Sequence, residues 1–168
     1  MVTSTSKPVW GANELTAGRE RFVELLTQAY RMELETVTNY LAASVNLDGI
    51  RGRLVARALG AEVVDELEHA RRLAERLNEL DAVVPGSLDL SFGQESLQPP
   101  ADSTDVMQVI EGVLAAEEAA IELYRHLIEE TDGVDWVTQD LAVTLLADEE
   151  AHRRLFAGYL REYLGEGN

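Results

Sequence analysis

The distribution of proline constrains this chain more than any other feature. The four prolines stand at positions 8, 85, 99 and 100, leaving residues 13–81 and 104–164 free of the strongest helix breaker. Both stretches are rich in Ala, Leu, Glu and Arg, which lose little freedom in a helix. Apolar residues recur at three- and four-residue steps. Phe22, Leu26, Ala29 and Val37 fall on one helical face, and Ile110, Val113, Leu114 and Ile121 on another. No segment reads as a strand. Each stretch exceeds an ordinary helix and is interrupted near its middle, by Asp48-Gly49-Ile50-Arg51-Gly52 and by Thr131-Asp132-Gly133. Gly accepts the positive φ of a tight turn, and Asp tolerates turn geometry. The pattern predicts four helices, A over 14–46, B over 51–81, C over 104–130 and D over 135–164, behind a flexible N-terminal tail over 1–13.

The B–C connection differs from the two turns. Residues 82–103 contain Pro85-Gly86, Ser87, Ser91, Gly93 and Pro99-Pro100. Such a long irregular segment is uncommon inside a compact domain unless it has a distance to cover. A helix of ~30 residues is ~45 Å long, and ~22 extended residues reach ~70 Å. The fold class is therefore all-α: a four-helix bundle over 14–164, with antiparallel hairpins A–B and C–D joined by one long crossover.

Composition narrows the chemistry. A chain of 168 residues is by default one domain. It has no cysteine, which excludes disulfides, thiolate zinc sites, iron–sulfur clusters and a Cys nucleophile. Asp and Glu number 31 against 14 Lys and Arg, a net charge of −17. That surface repels nucleic acid and anionic membranes and attracts cations, so neither is expected as a partner. Lys7 is the only lysine. Met1 to Trp10 holds no signal-peptide core, and nothing approaches the ~20 apolar residues of a membrane span. The expectation is a cytoplasmic protein.

Two of the three histidines repeat one motif, Glu66-Leu67-Glu68-His69 in helix B and Glu149-Glu150-Ala151-His152 in helix D. Positions i and i+3 of a helix share a face, so each motif aims a carboxylate and an imidazole the same way. Helix A adds Glu33 with Tyr40 seven residues on, and helix C adds Glu117 with Tyr124 seven residues on. The chain thus reads as two related hairpins. Residues on antiparallel helices lie level when equidistant from the turn. The midpoint of 33 and 66 falls between Gly49 and Ile50, and that of 117 and 149 is Gly133, so both land on predicted turns. One Glu-x-x-His in an acidic helix is usually solvated; two matched copies with coincident midpoints are not accidental.

Four carboxylates and two imidazoles should then meet in the core. Burying them without a cation is very costly, whereas two divalent ions carry +4 against −4. Carboxylate oxygen beside imidazole nitrogen suits iron or manganese. Glu33 and Glu117 are assigned as terminal ligands, Glu66 and Glu149 as bridges, and His69 and His152 as caps. Periodicity selects Glu33 over Glu35, which lies off the inner face and should be solvated, and Glu117 over Glu118. Tyr40 and Tyr124 are placed to hydrogen-bond ligand carboxylates. Asp65 and Asp148 either orient the histidines, line an iron path or are solvated. His126 is expected at the surface, and Trp10 and Trp136 as packing or interface anchors.

At these residues the chain resembles the ferritin-like di-iron proteins, bacterioferritin in particular, in the run Glu33-Leu34-Glu35-Thr36-Val37-Thr38-Asn39-Tyr40 and in both Glu-x-x-His motifs. The resemblance spans all four helices and implies a ferroxidase. It would take two Fe ions per chain (Mn possible) and oxidise Fe2+ with O2 or H2O2, for storage or detoxification in a homo-oligomeric shell. Leu67 stands where bacterioferritin has its haem-binding Met, so no haem is expected. Only sixteen residues follow His152, which leaves no room for the fifth helix of the 24-subunit cages. A Dps-like dodecamer with a bacterioferritin-type site is favoured, although the cysteine pair usual there is missing. Classical Dps and rubrerythrin match less well in ligand spacing. The alternative is a ferritin-like di-iron or di-manganese oxygenase or peroxidase acting on another substrate. A metal-free structural bundle would have to bury four carboxylates unpaired.

Overall fold

The computed structural model describes residues 12–165, with side chains from residue 18 onward. Four helices follow in order: α1 (Ala12–Asn46), α2 (Gly49–Glu79), α3 (Val106–Thr131) and α4 (Trp136–Gly165), with no strand among the described residues. The tail expected over 1–13 lies outside the described residues, except that Ala12 and Asn13 already belong to α1. Trp10 also lies outside them.

Helix ends differ from expectation by no more than two residues, for local reasons. Gly49 takes φ 85 and Gly133 φ 67, so each tight turn uses the glycine that can adopt it. With the first turn made at Gly49, α2 starts two residues early. It ends at Glu79 because Asp81 sits at φ 54, in the left-handed region where a helix cannot continue. Asp105 caps α3 by accepting a hydrogen bond from Gln108 N at 3.0 Å, which sets the start at Val106. Asp135 caps α4, its Oδ1 accepting from Val137 N and Thr138 N at 3.1 Å each. The other oxygen of Asp135 accepts from Arg76 Nη2 at 2.7 Å, clipping the start of α4 to the end of α2.

α1 packs along α2 and α3 along α4, and the hairpins meet chiefly through α1 and α3. Two apolar clusters fill the interior. One gathers Leu47, Val55, Leu59, Val106, Ile110 and Phe156. The other gathers Phe22, Leu26, Leu73, Leu77, Leu127 and Leu145. The polar residues singled out above lie on the helix segments between them.

The crossover runs beside α1 from its early turns to its end. Arg19 Nη2 donates to Leu80 O at one end, and Asp48 N donates to Ser103 O at 2.7 Å at the other. In the middle, Glu35 Oε1 accepts from Gly93 N at 2.6 Å and Gln94 N at 2.5 Å, and Asn39 Nδ2 donates to Gln94 Oε1 at 2.7 Å. Leu97 inserts into the core. The strap lies so close to α3 that a Cβ on Gly112 would stand 2.4 Å from Ser96 O. Glu35 therefore corrects the expectation: it is buried rather than solvated, because the crossover covers that side of α1 and supplies two amides to its carboxylate. Trp136, expected as a packing or interface anchor, is 75% exposed. No helix of the described residues is long and apolar enough to cross a membrane.

Candidate metal centre

Each helix delivers its part of the cluster. Glu33 comes from α1, Glu66 and His69 from α2, Glu117 from α3, and Glu149 and His152 from α4, all of them buried. They form two overlapping groups, Glu33, Glu66, His69 and Glu149 on one side, and Glu66, Glu117, Glu149 and His152 on the other. Within each group the donor atoms lie within 4.8 Å of one another. Glu66 and Glu149 belong to both groups, and their atoms divide accordingly. His69 Nδ1 lies 3.2 Å from Glu66 Oε2 and 2.9 Å from Glu149 Oε1. His152 Nδ1 lies 3.2 Å from Glu66 Oε1, 3.4 Å from Glu149 Oε2 and 3.9 Å from Glu117 Oε2. Each shared carboxylate thus turns one oxygen to each imidazole. The rings stack with centroids 5.9 Å apart.

The hydrogen-bond inventory tests whether these residues fit a cation. Both oxygens of Glu66, Oε2 of Glu117, Oε1 of Glu149 and Nδ1 of both histidines are buried without a hydrogen-bond partner, since the contacts just given lack donor–acceptor alignment. A buried polar group left unpaired costs about 1–3 kcal/mol, and such groups are rare singly. Six aimed at one place are a donor set, and oxygen with imidazole nitrogen suits iron or manganese. The outer carboxylates are held from the opposite hairpin: Tyr40 Oη donates to Glu117 Oε1 and Tyr124 Oη to Glu33 Oε1. That leaves Glu117 Oε2 for the interior.

The electrostatics of these side chains alone divide the four carboxylates into two pairs, Glu33 with Glu117 and Glu66 with Glu149. Burial, then the neighbouring Glu149 and Glu66, push Glu33 well above the ordinary carboxyl range. Burial and the adjoining Glu149 push Glu117 up to about 10. Glu66 and Glu149 go the other way. Burial opposes ionisation, but contacts with His152 and His69 outweigh it, lowering Glu66 and taking Glu149 to about 2. Burial likewise disfavours imidazolium, yet Glu149 and Glu66 raise His69 to about 10. His152 rises further through Glu149, Glu62 and Glu66. Burial and the nearby carboxylates keep both tyrosines protonated, as hydrogen-bond donors.

The outward faces of the histidines differ. His69 Nε2 lies 3.5 Å from Oδ2 of Asp148, whose side chain is 49% exposed, whereas His152 Nε2 lies 2.8 Å from Oε2 of buried Glu62. Asp65, Glu68, His69, Arg72, Asp148 and His152 line a cleft of about 240 Å³ between α2 and α4, which opens the cluster to the surface. Both aspartates considered approach a histidine from the cleft: Asp148 lies at His69, and Asp65, itself exposed, has a carboxylate oxygen within 4.8 Å of a ring nitrogen of His152 and of a carboxylate oxygen of Glu62. Glu118 and His126 point away from the cluster, exposed. Glu62 is the residue that sequence reasoning missed. Its position four before Glu66, hence on the same face, was the available signal.

The model of the family described as Ferritin-like domain matches residues 23–163. The chain belongs to the ferritin-like family. The DNA protection during starvation protein of Pyrococcus furiosus is 25% identical over 141 residues, covering 82% of this chain and 75% of that protein. Among solved structures, the dodecameric thioferritin of Bacteroides fragilis, a bacterioferritin-related protein, superposes with a TM-score of 0.77. It is 21% identical, and the match covers 91% of this chain and 93% of that one. The Desulfovibrio desulfuricans bacterioferritin, with its diiron site, superposes with a TM-score of 0.78 at 23% identity, covering 92% and 86%.

Proposed function

We propose that this protein is a ferroxidase that binds two Fe2+ side by side and oxidises them with O2 or H2O2, for iron storage or detoxification in a homo-oligomeric shell. The observation that carries it is the set of six buried, unpaired donor atoms on Glu66, Glu117, Glu149, His69 and His152, with buried Glu33 completing the cluster. Family membership and relatives named for bacterioferritin and for DNA protection during starvation support iron storage or protection at the coarser level. The dodecameric relative favours a twelve-subunit shell.

In this reading Glu33 and Glu117 are terminal ligands, Glu66 and Glu149 bridge, and Nδ1 of His69 and of His152 completes one position each. Two Fe2+ give one electron each to O2, which leaves with two protons as H2O2, or to H2O2, which takes two protons and leaves as two waters. Tyr40 and Tyr124 fix one oxygen of Glu117 and Glu33, so those carboxylates present the other inward. The acidic cleft residues Asp65, Glu68 and Asp148 concentrate cations at the mouth. An oxygenase or peroxidase acting on an organic substrate is less well supported, because charged and imidazole side chains line this cleft and organic ligands favour mostly apolar pockets.

The test is aerobic titration of metal-free protein with Fe2+, counting equivalents oxidised and retained on sizing. Many equivalents per chain on a large shell establish storage. About two on a small oligomer leave a catalytic site without storage, and no protein-dependent oxidation refutes the ferroxidase.

A further inference from the structure

The two halves of the cluster come from related hairpins, yet one feature breaks their symmetry. Glu66 and His69 map onto Glu149 and His152 by an offset of 83 residues. Under the same offset Asp65 maps onto Asp148, but Glu62 maps onto Leu145. The first hairpin thus carries a carboxylate where the second carries a core leucine. Glu62 lies one turn before Glu66, is only 9% exposed, and places Oε2 2.8 Å from His152 Nε2, across the α2–α4 seam. Among the described residues His69 has no equivalent buried neighbour at Nε2. Asp148 is 3.5 Å from its Nε2, beyond a normal N–H···O bond, on a half-exposed side chain.

We propose that Glu62 is a positioning residue: it holds His152 with Nε2 protonated and Nδ1 turned inward, so that the metal position served by His152 binds a divalent ion more tightly than the one served by His69. A neutral imidazole can donate from one nitrogen while ligating through the other. A buried acceptor on Nε2 selects that tautomer and fixes the ring plane. His69 must find its orientation with a weaker, solvated partner. The inference rests on the di-metal reading above and concerns how its two positions differ.

The probe is Co2+, whose visible absorption reports coordination, titrated into metal-free full-length protein with parallel calorimetry. Two unequal binding steps are expected. Glu62→Ala should weaken one step by about ten- to a hundredfold and leave the other within about twofold. Glu62→Gln, which keeps an acceptor oxygen, should recover most of the loss and covers the case where the alanine variant folds poorly. Asp148→Ala should change neither step by more than about threefold, on the scale of an exposed polar contact. In the Zn2+-loaded protein, the His152 Nε2–H resonance in 15N-histidine spectra should be lost or shifted in Glu62→Ala and unchanged in Asp148→Ala. Unchanged Co2+ steps in Glu62→Ala overturn the proposal. So does equal weakening of both steps, or loss of a third equivalent with the first two intact, which would make Glu62 a ligand of its own ion. Fewer than two equivalents in the unaltered protein would instead refute the di-metal reading itself.

Discussion

Loading the cluster with metal should release about four protons per chain at neutral pH. Before any ion enters, Glu66 and Glu149 are ionised, with Glu149 at about 2. His69, at about 10, and His152 are imidazolium. Glu33 and Glu117, the latter at about 10, keep their protons, each beside an ionised neighbour, Glu66 and Glu149 respectively. Two negative and two positive charges cancel, so the six side chains are neutral as a set. Two divalent ions on four carboxylates and two neutral imidazoles are neutral too. Moving between these states exchanges two ions for four protons. The linked quantity, the product of the two binding constants, should then rise by about four powers of ten per pH unit across roughly pH 5–9, about 5 kcal/mol per unit. The sign follows from competition: at higher pH fewer protons must be displaced, so binding tightens. Zn2+ avoids redox chemistry. Calorimetry in buffers of different ionisation enthalpy, or a pH-stat, counts the protons directly. Release of fewer than three per pair of ions would refute the reasoning, because neutral imidazoles or pre-ionised outer carboxylates would then have to stand in the metal-free cluster.

The same protonation pattern makes the metal-free protein lose stability as pH rises toward about 10, because up to there His69 and Glu117 keep protons in the folded state that the unfolded chain has already released, and the loss is complete once both give them up; denaturation curves at pH 8 and 10.5 should show this without metal and not after loading. Tyr40→Phe or Tyr124→Phe strands a buried carboxylate oxygen and should cost about 1–3 kcal/mol in urea denaturation of the metal-free protein; an unchanged midpoint would remove the tyrosines from their assigned role. Gly112→Ala forces a Cβ against Ser96 O and should destabilise by about 1–3 kcal/mol, whereas Gly60→Ala, with open space around it, should stabilise by about 0.5–1 kcal/mol. Glu35→Ala should speed amide exchange at Gly93 and Gln94 while leaving Fe2+ oxidation close to that of the unaltered protein; equal protection at both amides would show that the crossover holds itself.

The helices were legible because their punctuation is chemical. Gly49 and Gly133 take the positive φ that the turns need, and the prolines fall only outside the four helices among the described residues. What the sequence did not show was where the crossover would lie. Its 22 residues have no period, so nothing along 82–103 announced that Gly93 and Gln94 would donate to Glu35 or that Ser96 would press on Gly112. Helix periodicity placed Glu35 off the inner face, which is correct. It could not say that the same side of α1 would be covered by a strap whose amides need an acceptor.

The cluster itself was legible for a different reason. A site built from i, i+3 pairs on antiparallel helices obeys two rules at once, helical phase and equal distance from the turn, and only a few residues satisfy both. Those rules gather the six residues that the structure brings together, and they are blind to Glu62. A repeat reveals what two hairpins share, and Glu62 is what they do not share, since its counterpart is Leu145. The interior-facing nitrogens of both histidines meet nearly the same pair of carboxylates, so any difference between the two positions has to come from outside that pair. Glu62 on His152 and Asp148 on His69 are where the outer surroundings of the two rings diverge, one buried at 2.8 Å and the other half-exposed at 3.5 Å. Departures from an internal repeat are therefore where a symmetric site acquires unequal halves, and in this chain the departure is a carboxylate opposite a leucine.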